Sequence, residues 1–504
     1  MNKRLIFTIV SMIIMFSMLA SCSSPAAPAA PAGQPTQAAA AAAPVAADTA
    51  APKHKVTLVV AGDGGNNQVQ WTWFKQEMEE EFDVNLEIVG LSFDDLYTKL
   101  KTEFVAGSGA YDIVVFFPKH LGDFVANGYI LPITSYLNTG PGADMEDIVP
   151  RFRDLYSKVG NDYYTLPYDG DILALFYRTD LFSNADEQAA FKAKYGYDLK
   201  PPETWEQYHQ VAEFFTRKKG EKLAGQALTD DFYGTATYGQ KDFQYAWYLN
   251  YAASMGVKYF DADMKPGINS DAAVKALEMY KQELKYCPPE TQTYGFDQLQ
   301  AIFLQGKTAM EIQWTDPGRV GQNPQISTIV GKIGTALVPG TKTGDKVFHA
   351  PVMAAGRVIG ITKWAKDPAK AYQVARFMAD EASLAYVSSP ATGQDPFRYS
   401  HYKAVGAFEM FPTKKDAEDY LNGIKANLEN GFPELNMPGT EQYYSALAIG
   451  ISTYFSSPDA DAKKTLDDVA KQWEDITNTL GRDKQKEIYL QLNQVWKEAG
   501  ISTQ

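Results

Sequence analysis

The segment Tyr168-Asp169-Gly170-Asp171 sets two carboxylates two residues apart, with an aromatic ring before them and a glycine between. Carboxylates accept several directional hydrogen bonds, and an aromatic face stacks on apolar C–H surface. That combination suits a ligand rich in hydroxyl groups. The same pairing of acid and aromatic recurs in Trp314 with Asp316 and in Asp242 with Trp247. Arg357, Arg398 and Asp395 add planar donor forks beside an acid, whose charge-assisted bonds are stronger than neutral ones. Gly65 and Asn66 offer a backbone amide and a side-chain amide. Lys119 would favour an anionic solute, or else is a solvated surface residue.

The same carboxylates admit another chemistry. At i and i+2 on an extended chain, Asp169 and Asp171 stand about 6.6 Å apart by strand rise, within the separation that paired catalytic acids of glycoside hydrolysis need. A cell-surface glycoside hydrolase is therefore a rival reading. No G-x-S-x-G elbow accompanies the pair. The histidines, His54, His120, His209, His349 and His401, have no ligand spacing, and the two cysteines, Cys22 and Cys287, form no framework, so neither a metal site nor a disulfide scaffold is expected. The loop Gly62–Gly65 lacks the lysine of a phosphate cradle, and no cofactor signature is present. A net charge of -14 without any dense basic stretch in the body excludes nucleic acid as a partner.

The N-terminus carries an address. Lys3 and Arg4 precede an apolar run from Leu5 to Leu19, and Leu19-Ala20-Ser21-Cys22 resembles a bacterial lipobox, so residues 1–21 read as a removable signal and Cys22 as the lipidated first residue. Two acyl chains there would anchor the protein stably to a membrane. Residues 22–52 are almost entirely Ala, Pro, Ser, Gln and Thr, the composition of a tether. The protein is expected outside the cytoplasm, in the cell envelope or periplasm, as a monomer.

Alternating patterns must then position the candidate residues. Val56–Ala61 is a short β-branched run, Trp71, Phe74, Met78 and Phe82 form a helical stripe, and Val84, Leu86 and Ile88 alternate. A helix follows with Leu96, Leu100 and Phe104 on one face, Ser92 and Asp95 as its capping pair and Gly107 as its stop. Asp112–Phe117 reads as a central parallel strand, so the first half is a doubly wound α/β unit. Ligands meet such sheets beyond the carboxyl ends of the strands, where the Gly62–Asn66 and Pro118–His120 loops fall. Strands are also expected at 172–177 and 333–338. Helices are expected from Pro202 to Thr216 and at 244–255, 270–284, 296–304, 368–381 and 460–480, making the second half helix-rich.

Several segments together resemble family 1 of the extracellular solute-binding proteins of carbohydrate ABC importers. They are Leu96-Tyr97-Thr98-Lys99-Leu100, Ala106–Asp112, Thr165–Asp171, Phe176–Phe182, Pro202–Trp205, Phe303–Met310 and Gly393–His401, and the resemblance spans nearly all of residues 53–504. It implies a two-lobed type II periplasmic-binding fold, each lobe a doubly wound sheet flanked by helices and the second helix-rich, with a first lobe at 53–171 and 338–392 and a second at 172–337 and 393–504. It also implies a binding protein, not an enzyme, that captures a sugar or polyol between lobes and delivers it to the transmembrane subunits of an ABC permease. The resemblance favours Tyr168–Asp171 as a ligand grip over a plain Asp-Gly turn. Trp314 remains either a stacking plate or a core plug, and Arg357, Asp395 and Arg398 remain either grips or an ion pair between lobes. A sensor or adhesin lipoprotein that feeds no importer is a further alternative.

Overall fold

Two sheets carry the candidate residues, and the chain passes between them more than once. In a computed structural model, residues 55–93, 95–139 and 142–501 are described; the export signal, Cys22 and the whole tether lie outside the described residues. The principal strands are β1 (Val56–Asp63), β2 (Val84–Leu91), β3 (Ile113–Phe116), β4 (Thr165–Asp169), β5 (Ala174–Arg178), β6 (Met310–Gln313), β7 (Ile333–Ala336) and β8 (Arg357–Ile361). The first sheet has the order β2-β1-β3-β8-β4 and the second the order β6-β5-β7.

In the first sheet β1 lies parallel to β2 and β3, while β8 runs antiparallel to both β3 and β4. β3 is central, and all four of its residues are buried, as its unbroken apolar run requires of a strand covered on both faces. The helix Leu96–Ala106 packs Leu96, Leu100 and Phe104 inward and ends where Gly107 turns left-handed at φ 63°. Its expected capping pair does not form: Asp95 stands at the N-cap without a side-chain hydrogen bond. The stripe from Trp71 to Phe82 is divided into two short helices, Val69–Trp73 and Lys75–Glu81.

The second sheet is antiparallel throughout and not doubly wound as expected, because its central strand β5 pairs on both sides with strands that run back against it. Around it the helix Trp205–Phe215 opens on a capping box, in which Thr204 accepts from the Gln207 amide and Gln207 reaches back to Thr204. The helix Gln244–Ser254 is buried along its whole length. Three long C-terminal helices, Thr440–Ser456, Ala462–Leu480 and Arg482–Glu498, complete this half. No helix among the described residues is long and apolar enough to cross a membrane.

The connections between sheets decide where a site can form. Asp169 ends β4 in the first sheet and Ala174 begins β5 in the second. After β7 the chain forms a hairpin of Thr341–Thr343 with Lys346–Phe348, held near Trp205, whose amide donates to Gly340 at 3.1 Å. Val352-Met353 then pairs with Phe432-Pro433 before Arg357 enters the first sheet. Residues 395–403 pack back on that first half: Arg398 donates to the carbonyls of Ala143, Asp144 and Ala379.

Candidate functional site

Register places the site chemistry. Arg357 opens β8 directly opposite Asp169, the last residue of β4, and Asp63 ends β1 in the same sheet. The Arg357 guanidinium donates through Nη1 to Asp169 at 2.8 Å and to Asp171 at 3.0 Å, and through Nη2 to Asp63 at 2.9 Å. Ala355 and Gly356, both at φ 64°, turn the backbone so that the Gly356 amide also donates to Asp171 at 3.1 Å. A non-glycine residue held there carries local strain, of the kind concentrated at functional sites. Asp169 accepts from the Asp395 amide at 2.7 Å, and Arg319 donates to Asp395 at 3.1 Å.

In front of this network lies a chamber of about 440 Å³, bounded by the carboxyl end of β1, the segment after β6 and the turn before β8. Asp171, Asp316 and Arg357 face it with Trp314, Asn66 and Asp242. Trp314 is fixed by its indole N–H, which donates to the Ala354 carbonyl at 2.9 Å, and by edge-to-face contacts with Trp247 at 5.1 Å and Tyr238 at 5.8 Å. Asp242 accepts from the Tyr238 hydroxyl at 2.9 Å. Volume and composition fall in the range of small-molecule sites, with an apolar plate and a few placed polar groups.

Six of the thirteen residues nominated from sequence thus come together at one cavity. The others are elsewhere. Asp169 and Asp395 sit one layer behind, bonded to Arg357 and Arg319. Trp247 supports Trp314 from the core, with its own N–H on the Ile312 carbonyl. Gly65 does not line the chamber, although its neighbours Asn66 and Asn67 do. Tyr168 is fully buried against Trp71 and Tyr386, with its hydroxyl bonded to Gln70, because strand alternation sends it to the face opposite Asp169. Arg398 is consumed by backbone carbonyls. Lys119 is not solvated: it is 5% exposed and its ammonium meets Glu441 at 2.9 Å.

The residues not foreseen are Asp63, Arg319, Phe93, Tyr238, Gln240, Phe296, Asp297 and Gln298. Asp63 had a legible signal, since it ends a parallel strand inside the loop already marked. Gln298 caps a helix through the Gly295 amide while facing the chamber, a dual role that spacing does not reveal.

Burial pushes the Asp169 carboxyl up to about 7 against the pull of Arg357, with Asp395 adding to the rise. Burial and then Asp395 push Asp316 up to about 7, and burial and then Asp169 raise Asp171 well above the usual carboxylate range. Oxygens of Asp169, Asp171 and Asp395 converge within 4.8 Å of one another, closer than the extended-chain expectation. Arg357 holds two of these three groups directly. Asp169 and Asp171 share one guanidinium, with Asp171 at the chamber and Asp169 one layer behind it.

Two α/β sheet systems joined by several crossings, with a polar and aromatic chamber beside the crossings, define a solute-binding architecture. The sequence profile of the bacterial extracellular solute-binding proteins matches residues 72–385, and the chain belongs to that family. It is 26% identical over 324 residues to the mannitol-binding protein of Pseudomonas aeruginosa, covering 63% of this chain and 67% of that one. It is 25% identical over 274 residues to a periplasmic-binding protein of Sinorhizobium fredii named for amino-acid ABC transport, covering 52% of this chain and 57% of that one. Among solved structures, an ABC transporter solute-binding protein of Agrobacterium radiobacter in complex with ribitol superposes with a TM-score of 0.69 at 24% identity, over 84% of this chain and all of that one. The fold is the two-lobed type II periplasmic-binding fold.

Proposed function

We propose that this chain is the extracytoplasmic receptor of a bacterial ABC importer, and that it holds a sugar or polyol reversibly in the chamber between its lobes. The observation that carries the reading is the convergence of Trp314, Asp171, Asp316, Asp242, Asn66 and Arg357 on one cavity. Vicinal hydroxyls take up the free valences of the carboxylates and of the guanidinium, and the C–H face of the ligand rests on the indole. Asp169 fixes the fork of Arg357, and Asp395, itself bonded by Arg319, holds Asp169 through its amide. The ligand leaves chemically unchanged, and the permease subunits read the closed pair of lobes.

The lobes, in this reading, exchange the chain at residues 170–173, at 354–356 and beyond 404. The hairpin at 341–348 then belongs to the second lobe and residues 393–403 to the first. Cys22 carries the lipid that holds the receptor at the membrane, and the receptor acts as a monomer.

Isothermal titration of the full chain in detergent against alditols, monosaccharides and oligosaccharides, with amino acids as controls, tests the assignment. Saturable binding of a polyhydroxylated compound that Trp314→Ala weakens at least tenfold is expected. Binding confined to amino acids would overturn the ligand class, and turnover of a glycoside would overturn the receptor reading. Metabolic labelling with a fatty-acid analogue, lost in Cys22→Ser, checks the anchor.

A further inference from the structure

The chamber continues beyond Asp242. A second chamber of about 390 Å³ adjoins the first and shares Phe93, Gln240 and Asp242 with it. Phe93 comes from the first lobe and the other two from the second, so the three residues form a neck between chambers. Aromatic rings run through it without a break. Ring centroids are 5.2 Å apart for Phe117 and Phe93, 5.9 Å for Phe93 and Phe243, 5.3 Å for Phe243 and Trp314 and 5.8 Å for Trp314 and Phe296. Phe93, at the neck, is 36% exposed, a large apolar ring left in water where the neighbouring Phe117, Phe243 and Trp314 are buried.

The far chamber also holds a built polar group. The Lys119 ammonium contacts the Tyr245 hydroxyl at 3.2 Å, Glu441 at 2.9 Å and the face of Phe243 at 4.8 Å. Glu441 matches its charge, so this chamber does not call for an anionic ligand. An ammonium has three donors, and one of them remains for a ligand oxygen.

We propose that the solute is at least two sugar units long, spanning both chambers with Phe93 stacked at the junction and Lys119 donating to a hydroxyl of the second unit. This rests on the polyhydroxy-ligand reading above. A single alditol or monosaccharide occupies one chamber and leaves the exposed Phe93 ring hydrated. A second unit removes that apolar surface from water, which is the favourable direction. Small-molecule sites bury most of their ligand's surface, and two chambers in series accomplish this for a chain of units.

The test is titration of the full chain, in detergent, with gluco-, manno-, galacto- and xylo-oligosaccharides of one to four units, together with the corresponding alditols. In whichever series binds, the disaccharide is expected to bind at least tenfold more tightly than its monomer or alditol. Phe93→Ala and Lys119→Met should each narrow that ratio to less than threefold. Phe93→Ala removes an exposed ring, so its folding is a control for Lys119→Met, which leaves Glu441 with His120 alone. A monomer or alditol that binds as tightly as every longer homologue overturns the two-unit proposal while leaving the receptor reading intact. Equal weakening of monomer and dimer by Phe93→Ala does the same. Absence of binding by every saccharide and alditol overturns both.

Discussion

Two cations stand at the cleft, and their surroundings differ in kind. Arg357 faces three carboxylates, Asp63, Asp169 and Asp171, with all four side chains nearly removed from solvent. Lys119 faces one, Glu441, whose side chain is 36% exposed. The first arrangement is over-supplied with negative charge and depends on its single guanidinium. The second is a one-to-one pair whose ammonium is buried and whose carboxylate is partly exposed. Removing a partner from a buried network strands charge in a medium that cannot solvate it, and the Arg357 network, enclosed on every side, has the more to lose. The same nominal interaction therefore does different work: the Arg357 network fixes the wall of the site, and the Lys119 pair shapes its far end.

The contrast breaks if Arg357→Met is tolerated. It is expected to lower unfolding free energy by about 3–5 kcal/mol, as for other broken buried ion networks, in urea titrations of the full chain. A change below about 1 kcal/mol, the size typical of a surface pair, would remove Arg357 from the class of buried networks. Gly170→Ala attacks the backbone that aims the two aspartates. A β-carbon there would stand 2.4 Å from the Pro396 carbonyl oxygen, so a loss of about 1–3 kcal/mol is expected from overpacking in the same titration.

A pH series sharpens the contrast further. Asp169 and Asp316 are pushed up to about 7 by burial, so the folded protein holds these protons more tightly than the unfolded chain, whose aspartates titrate near about 4. Their stabilising contribution is full below about pH 4, shrinks as pH rises and is gone above about pH 7. The melting temperature of unliganded protein should therefore fall between about pH 5 and 7.5, and Asp316→Asn should make that slope shallower. A melting temperature that climbs through this window would contradict the assignment.

Glu441 has the opposite sign. Burial alone would raise its carboxyl, but Lys119 and His120 outweigh burial and hold it well below the usual range. Its contribution is present above the ordinary carboxylate range and is lost as pH falls below about 4. A smaller loss than that of Arg357→Met is expected from Glu441→Gln at neutral pH, because its carboxylate is partly exposed although the Lys119 ammonium is buried. A loss equal to that of Arg357→Met would erase the distinction.

Much of the fold was readable from pattern. The β-branched run of β1, the unbroken apolar β3 and the helix ended by Gly107 all follow from burial on one or two faces. Side-chain destination was less readable. Arg357 and Arg398 are the same residue type in similar local company, yet one faces acids in a cleft and the other caps the carbonyls of Ala143, Asp144 and Ala379. Only the tertiary path separates them. Lys119 shows the same limit: the turn of Pro118–His120 folds it beneath Phe243, and nothing in a lone lysine announces that. Tyr168 was recoverable, since alternation on a strand cannot aim neighbours 168 and 169 at one ligand.

Asp171, Ala355 and Arg357 line the chamber from within the two connectors between the sheets. In the proposed receptor, closure turns on these connectors, and a rotation of a few degrees there is multiplied, in proportion to radius, at the outer faces of both halves. The occupied and vacant forms should thus look most different at the periphery, on the surfaces that a membrane partner would meet, and most alike at the point of contact with the guest.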